Sequence, residues 1–163
     1  MKAKVLCLFL CVGMLMSCGN DDAASENFSS SVEMNGTGFN PDRGTYSVRE
    51  GDLHRELNFS VLEGEAAENS PAMSIMLYVP YSWDSVSGSY FPTFGEAQTP
   101  LIGAYLYRGG NAYYIHGDTV EVTDLGNNRF RFEFADEFAS TLQGETFPFN
   151  GTIEGTFTRI ETP

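Results

Sequence analysis

After position 4 the chain contains no lysine; Lys2 and Lys4 are the only two, and the other seven basic residues are arginines. Cysteine is confined to positions 7, 11 and 18, histidine to 54 and 116, and tryptophan to 83. Each shortage excludes something. With no thiol beyond Cys18, the remainder of the chain has no disulfide of its own, no cysteine nucleophile and no cysteine metal site. The two histidines stand far apart, and neither has a second histidine at the short spacing that metal centres use, so no metal site is expected. His54 lies among Asp52, Arg55 and Glu56, the composition of a wet strand start, and His116 precedes the turn residues Gly117-Asp118. No cofactor motif is present. Against nine basic residues stand 22 acids, a formal charge of −13. That field repels phosphate backbones, anionic headgroups and acidic polysaccharides unless one face is locally basic, which disfavours nucleic acid as a partner.

Long apolar runs are also missing. The single one, Val5 to Met16, has 12 residues, whereas about 20 are needed to cross a bilayer core. It follows two lysines and precedes the small residue Ser17, the order of a secretory signal. Leu15-Met16-Ser17-Cys18 resembles the lipobox of bacterial lipoproteins. The resemblance implies cleavage before Cys18, removing residues 1–17, and a diacylglycerol on the Cys18 thiol. At about 0.8 kcal/mol per buried methylene, two or three acyl chains make a durable anchor.

The following Gly19-Asn20-Asp21-Asp22 resembles the acidic signal that sends lipoproteins of Bacteroidota to the outside of the outer membrane. It implies a lipid anchor in the outer membrane and a domain facing the cell exterior. The mature chain would then have 146 residues and a charge of −15, a length that suits one domain. Residues 18–31, small and polar after the cysteine, read as a flexible tether, and 32–163 as a single β domain.

From residue 44 onward the pattern is alternation with period two, punctuated by Gly, Pro, Asn and Asp, and no long segment has helical period. In Arg129-Phe130-Arg131-Phe132-Glu133-Phe134 three phenylalanines share one face and the charges the other. Residues 57–61 and 74–79 read as strands, the latter apolar on both faces and so central. Further strands are expected at 44–48, 87–91, 103–107, 111–115, 119–123 and 152–160, with hairpin turns at 108–111 and 124–128. One short helical turn is expected at 136–142. The fold class is therefore all-β: an antiparallel sandwich of about 8–10 short strands, the alternative being a small up-and-down or lipocalin-like barrel.

A local echo, Gly44-Thr45-Tyr46, Gly88-Ser89-Tyr90 and Gly155-Thr156-Phe157, reads as a strand-opening glycine, an outward hydroxyl and an inward ring. The closing NGTIEGTFTRI resembles the C-terminal strands of small Bacteroidota lipoproteins whose families have no assigned function, so it brings no catalytic residue with it.

Catalytic patterns are sparse. The run Asp84 to Tyr90 (DSVSGSY) holds serines beside a glycine but lacks the nucleophile elbow and its strand-to-helix context. Carboxylates for a glycosidase are plentiful, but sequence spacing does not fix their separation. The aromatic middle carries more promise: Tyr78, Tyr81, Trp83, Tyr90, Phe91, Phe94, Tyr105, Tyr107, Tyr113 and Tyr114. Aromatics with polar handles bind sugar rings and proteins where exposed, and fill β cores where not. Tyr81 and Trp83, after Pro80 where alternation breaks, are the expected loop-borne ligand contacts.

Asp84-Ser85-Val86 and Asp118-Thr119-Val120 resemble the acceptor tripeptide of Bacteroidota O-glycosylation, which makes Ser85 and Thr119 candidate modification sites. The N-x-[ST] sequons at Asn27, Asn35, Asn58 and Asn150 belong to eukaryotic glycosylation and are discounted. Three functional readings follow: a surface-anchored binding or accessory module for a glycan or an envelope protein, a small carboxylate-dependent hydrolase, and a subunit of a surface fibre built by strand donation.

Overall fold

The computed structural model describes residues 28–65, 70–92 and 100–161. Among these all regular structure is β. In chain order the strands are β1 (Ser29–Ser30), β2 (Glu33–Met34), β3 (Thr37–Gly38), β4 (Arg43–Glu50), β5 (His54–Leu62), β6 (Ala72–Pro80), β7 (Gly88–Tyr90), β8 (Leu101–Arg108), β9 (Asn111–His116), β10 (Val120–Gly126), β11 (Arg129–Ser140), β12 (Thr146–Thr156) and β13 (Thr158–Arg159).

They form one curled, mixed sheet, a half-barrel, in the order β13-β4-β5-β6-β8-β9-β11-β12-β2-β3. The all-β expectation holds. The opposing walls face each other over one core as in a sandwich, while the ladder runs on without a break as in a barrel. β11 is long enough to serve two neighbours on one edge: Val120 to Gly126 of β10 pair with its first half, and β9 pairs with Phe138 to Ser140. β12 lines its other edge. Only Phe157 separates β12 from β13, which lies parallel to β4 with Thr158 opposite Thr45. The chain leaving β12 thus reaches the far margin of the sheet, and that step curls it.

Alternation decides the core. Phe59, Phe130, Phe132 and Phe157 point inward and are almost fully buried. Phe59 lies 5.0 Å from Phe130, 5.0 Å from Phe132 and 5.1 Å from Phe157, each edge to face. Such pairs add about 0.5–1.5 kcal/mol beyond burial of their area. The glycine echo belongs to this core. A Cβ on Gly44 would stand 2.7 Å from the Phe157 ring and 2.8 Å from Phe28; one on Gly155 would overlap Phe28, and one on Gly88 would overlap Trp83. All three glycines are seats for an aromatic ring. Gly88 does open its strand, but Gly155 stands near the end of β12.

Two local expectations are corrected, and one element is added. Residues 136–142 form no helical turn: β11 runs on to Ser140 through a bulge between Phe134 and Glu137, where Asp136 takes φ +58°. A short polar side chain tolerates that left-handed conformation. Ser29 and Ser30, assigned to the tether, form β1 and pair with Glu154 and Ile153, and the neighbouring Phe28 ring lies 5.0 Å from Phe157. β2 and β3 form an additional hairpin turned by Asn35-Gly36 with φ +50° and +71°, the left-handed pair that a two-residue turn requires. The two expected hairpins are present, turning at Gly109-Gly110 and Asn127-Asn128.

Candidate functional site

In β6, β8 and β9 the residues facing the core are aliphatic or Tyr113, which leaves the outward positions to be explained. These are Ala72, Ser74, Met76, Tyr78 and Pro80 on β6, Gly103, Tyr105 and Tyr107 on β8, and Ala112, Tyr114 and His116 on β9. None is charged, in a chain with 22 acids. Register lines them up in rungs: Ser74 is opposite Tyr105, Tyr105 opposite Tyr114, and Tyr114 opposite Ser140, while His116 is opposite Phe138. The rings touch in sequence. Tyr105 and Tyr114 are 5.5 Å apart, Tyr114 and His116 5.8 Å, and His116 and Phe138 6.0 Å, the last two pairs stacked. At the two ends of this belt Tyr107 and Phe138 are each 44% exposed. Between them Tyr105, Tyr114 and His116 are half-buried, so the belt is an uncharged, partly exposed aromatic face, a feature that suits a contact surface.

Hydroxyls decorate the belt. The Tyr114 hydroxyl donates to the Pro92 carbonyl at 3.2 Å, and that of Tyr78 lies 2.7 Å from the Met76 sulfur. Burial raises the Tyr114 pKa, with further contributions from Tyr105 and Glu137; burial also raises that of Tyr78, followed by Glu56 and Tyr105. Both phenols stay neutral donors at physiological pH.

His116 Nε2 lies 2.6 Å from Ser140 Oγ, which lies 3.0 Å from Thr146 Oγ1. This is the separation of a base and a nucleophile, between residues that no sequence motif links. Ser140, however, stands in a ladder between Tyr114 and Thr146, where backbone N–H groups serve neighbouring strands and are not gathered to receive an oxyanion. The chain of three side chains fixes the plane of the His116 ring within the stack.

Behind the belt, at the β11 bulge, lies Glu137, only 2% exposed. Neither carboxylate oxygen has a hydrogen-bond partner of good geometry among the described residues. Its pKa is pushed up to about 7, chiefly by burial and then by the Asp118 and Asp136 charges, while the nearby Thr119 amide works the other way. Gly117 makes this burial possible, since a Cβ there would overlap Glu137 Oε2. Among the described residues no three of His, Cys, Asp and Glu stand close enough together to hold a metal ion.

The structure separates the two loop aromatics singled out in the sequence. Tyr81 is 49% exposed, its hydroxyl 2.8 Å from Glu50 Oε2 and 2.7 Å from the Gly51 carbonyl. The hydrogen bond to Glu50 is the main cause of its raised pKa. Trp83 is half-buried. Its ring covers Gly88 and meets the fully buried Tyr90 edge to face at 5.6 Å, so it caps the core and presents only part of its surface to solvent. Ser85 is exposed and its hydroxyl accepts from the Ser87 amide, whereas Thr119 is half-buried beside Glu137. His54 opens β5 half-buried, with its ring edge on Tyr78. Cys18, Asp21, Asp22 and Phe94 lie outside the described residues.

Fold and site together define an all-β half-barrel with an uncharged aromatic outer face. Comparison with models of known protein families, with curated proteins and with solved structures finds no match to this chain.

Proposed function

We propose that this protein is a lipid-anchored outer-membrane lipoprotein whose β domain is a glycan-binding module facing the cell exterior. The observation that supports the binding role is the belt from Tyr107 through Tyr105, Tyr114 and His116 to Phe138 on β8, β9 and β11, beside outward positions of β6, β8 and β9 among which the belt face carries no charge. Sugar rings present C–H faces to aromatic surfaces and hydroxyls to phenols and Ser/Thr, and the belt supplies both kinds of partner. Tyr81, exposed at the end of β6 and bonded to Glu50 and Gly51, offers a separate aromatic contact, and Trp83 contributes by packing on Tyr90 of the core. The lipobox ending at Cys18 and the acids after it support the anchoring and the address.

The test of binding is a pull-down of envelope extract and growth polysaccharides with the detergent-solubilised lipoprotein. Tyr105→Ala combined with Tyr114→Ala should abolish retention while the fold, read by circular dichroism, persists. Retention unchanged in the double variant refutes the belt as contact surface. Resistance of the domain to protease added to intact cells refutes the outward orientation.

A further inference from the structure

The belt ends in a cleft. Beyond Tyr107 the chain turns through Gly109 and Gly110, with φ +57° and +79°, into Asn111. Together with Ser70 of the β5–β6 connection these residues line a cavity of about 370 Å³, toward the lower end of the ~300–1,000 Å³ typical of small-ligand sites. We propose that this cleft binds one neutral pyranose unit of the glycan whose neighbouring units lie along the belt. The inference rests on the glycan-binding reading and adds the ligand class and the residues that select it.

Three observations carry it. Tyr107, 44% exposed, offers a ring to an apolar sugar face. The turn glycines have no side chain to shield their backbone, and a Cβ on Gly109 would meet nothing within 4 Å, so the peptide groups of the turn stay open to hydroxyls. Asn111 turns its Nδ2 toward the Gly109 carbonyl at 3.5 Å, and a carboxamide matches a hydroxyl because both donate and accept.

Charge favours neutrality. Among the described residues no acid lines the cleft, and the cation there, Arg108, directs its guanidinium to the Thr37 and Gly38 carbonyls at 3.3 and 2.6 Å, where it caps the edge of β3. A carboxylated sugar would face the overall negative field, and Arg108, the arginine of the described lining, already has both terminal nitrogens bonded to backbone carbonyls.

The experiment measures affinity of the full-length lipoprotein in detergent for hexasaccharides of glucose, galactose and mannose and for a galacturonate hexasaccharide. At least one neutral chain should bind, and Asn111→Ala and Tyr107→Ala should each weaken it about tenfold, with Tyr107→Phe close to wild type. Loss on Tyr105→Ala with no change on Asn111→Ala and Tyr107→Ala overturns the cleft while leaving the belt standing. Binding of none of the four overturns both. Tighter binding of galacturonate overturns neutral selection. Asn111, exposed at the hairpin, is the decisive variant if Tyr107→Ala fails to fold.

Discussion

Replacing Glu137 by glutamine should change how stability depends on pH. In the folded protein this carboxyl titrates at about 7, against 4.5 for the ordinary group. A raised acid holds its proton in the native state after the unfolded chain has released it. Its contribution is therefore most favourable below pH 4.5, declines as pH rises to 7, and above 7 becomes a constant penalty. Two and a half units at 1.36 kcal/mol each give about 3 kcal/mol as an order of magnitude, roughly 10 °C in Tm for a domain of this size. Glutamine keeps the shape and carries no charge at any pH. Its amide is buried in the same place, which costs about 1 kcal/mol or more if unpartnered. Denaturant melts of both proteins at pH 4, 6 and 8 should show Glu137→Gln equal to or slightly weaker than wild type at pH 4 and stronger by about 2 kcal/mol at pH 8. Other carboxylates titrate equally in both and cancel in the difference. Parallel stability curves would refute the reasoning, since they would mean the carboxylate is well solvated or paired in the native state.

Phe59→Ala, at the centre of the ring cluster, should cost about 3–5 kcal/mol in urea melts; a loss under 1 kcal/mol would mean the rings repack around the vacancy. Gly155→Ala should drive Phe28 off its seat and lower stability by about 1–3 kcal/mol, visible as faster amide exchange at Ser31 and Thr152. Trp83→Ala should reduce stability by exposing Gly88 and Tyr90 but leave glycan retention intact; retention lost from a still-folded variant would return Trp83 to the contact surface. Cys18→Ala should move the protein from the membrane fraction to the soluble fraction, and membrane association that survives in high salt would contradict lipid anchoring.

Much of the fold was legible because alternation survives in the places that matter. Ile102, Ala104 and Leu106 face in and Gly103, Tyr105 and Tyr107 face out, as period two requires. Register was not legible, and the site depends on register: His116 and Ser140 are 24 residues apart and meet only because β9 pairs with the last quarter of β11. The continuation of β11 past Phe134 was hidden by its bulge, since Ala135-Asp136 shifts the alternation and reads as a break. Asn35-Gly36 was a readable turn signal, but its flanking strands have two residues each, too few to show a period. The glycine echo was visible as a pattern; its reason, three rings resting on backbone, needed coordinates.

The way the N-terminus enters the fold has a mechanical consequence. Under the proposed anchoring at Cys18, a load arriving from the N-terminal side would reach β1, which is held to β12 by two residue pairs, with the Ser31 amide bonded to the Thr152 carbonyl just beyond. Phe28 stands at the point where force enters, its ring against Phe157 and over Gly44 and Gly155. Tension would peel this short segment first, and the long β4–β5–β6 and β11–β12 ladders would be loaded only after Phe28 had come out. With the proposed anchor at Cys18, β1 would act as a shear pin, a few residues that yield while the rest of the sheet stays closed.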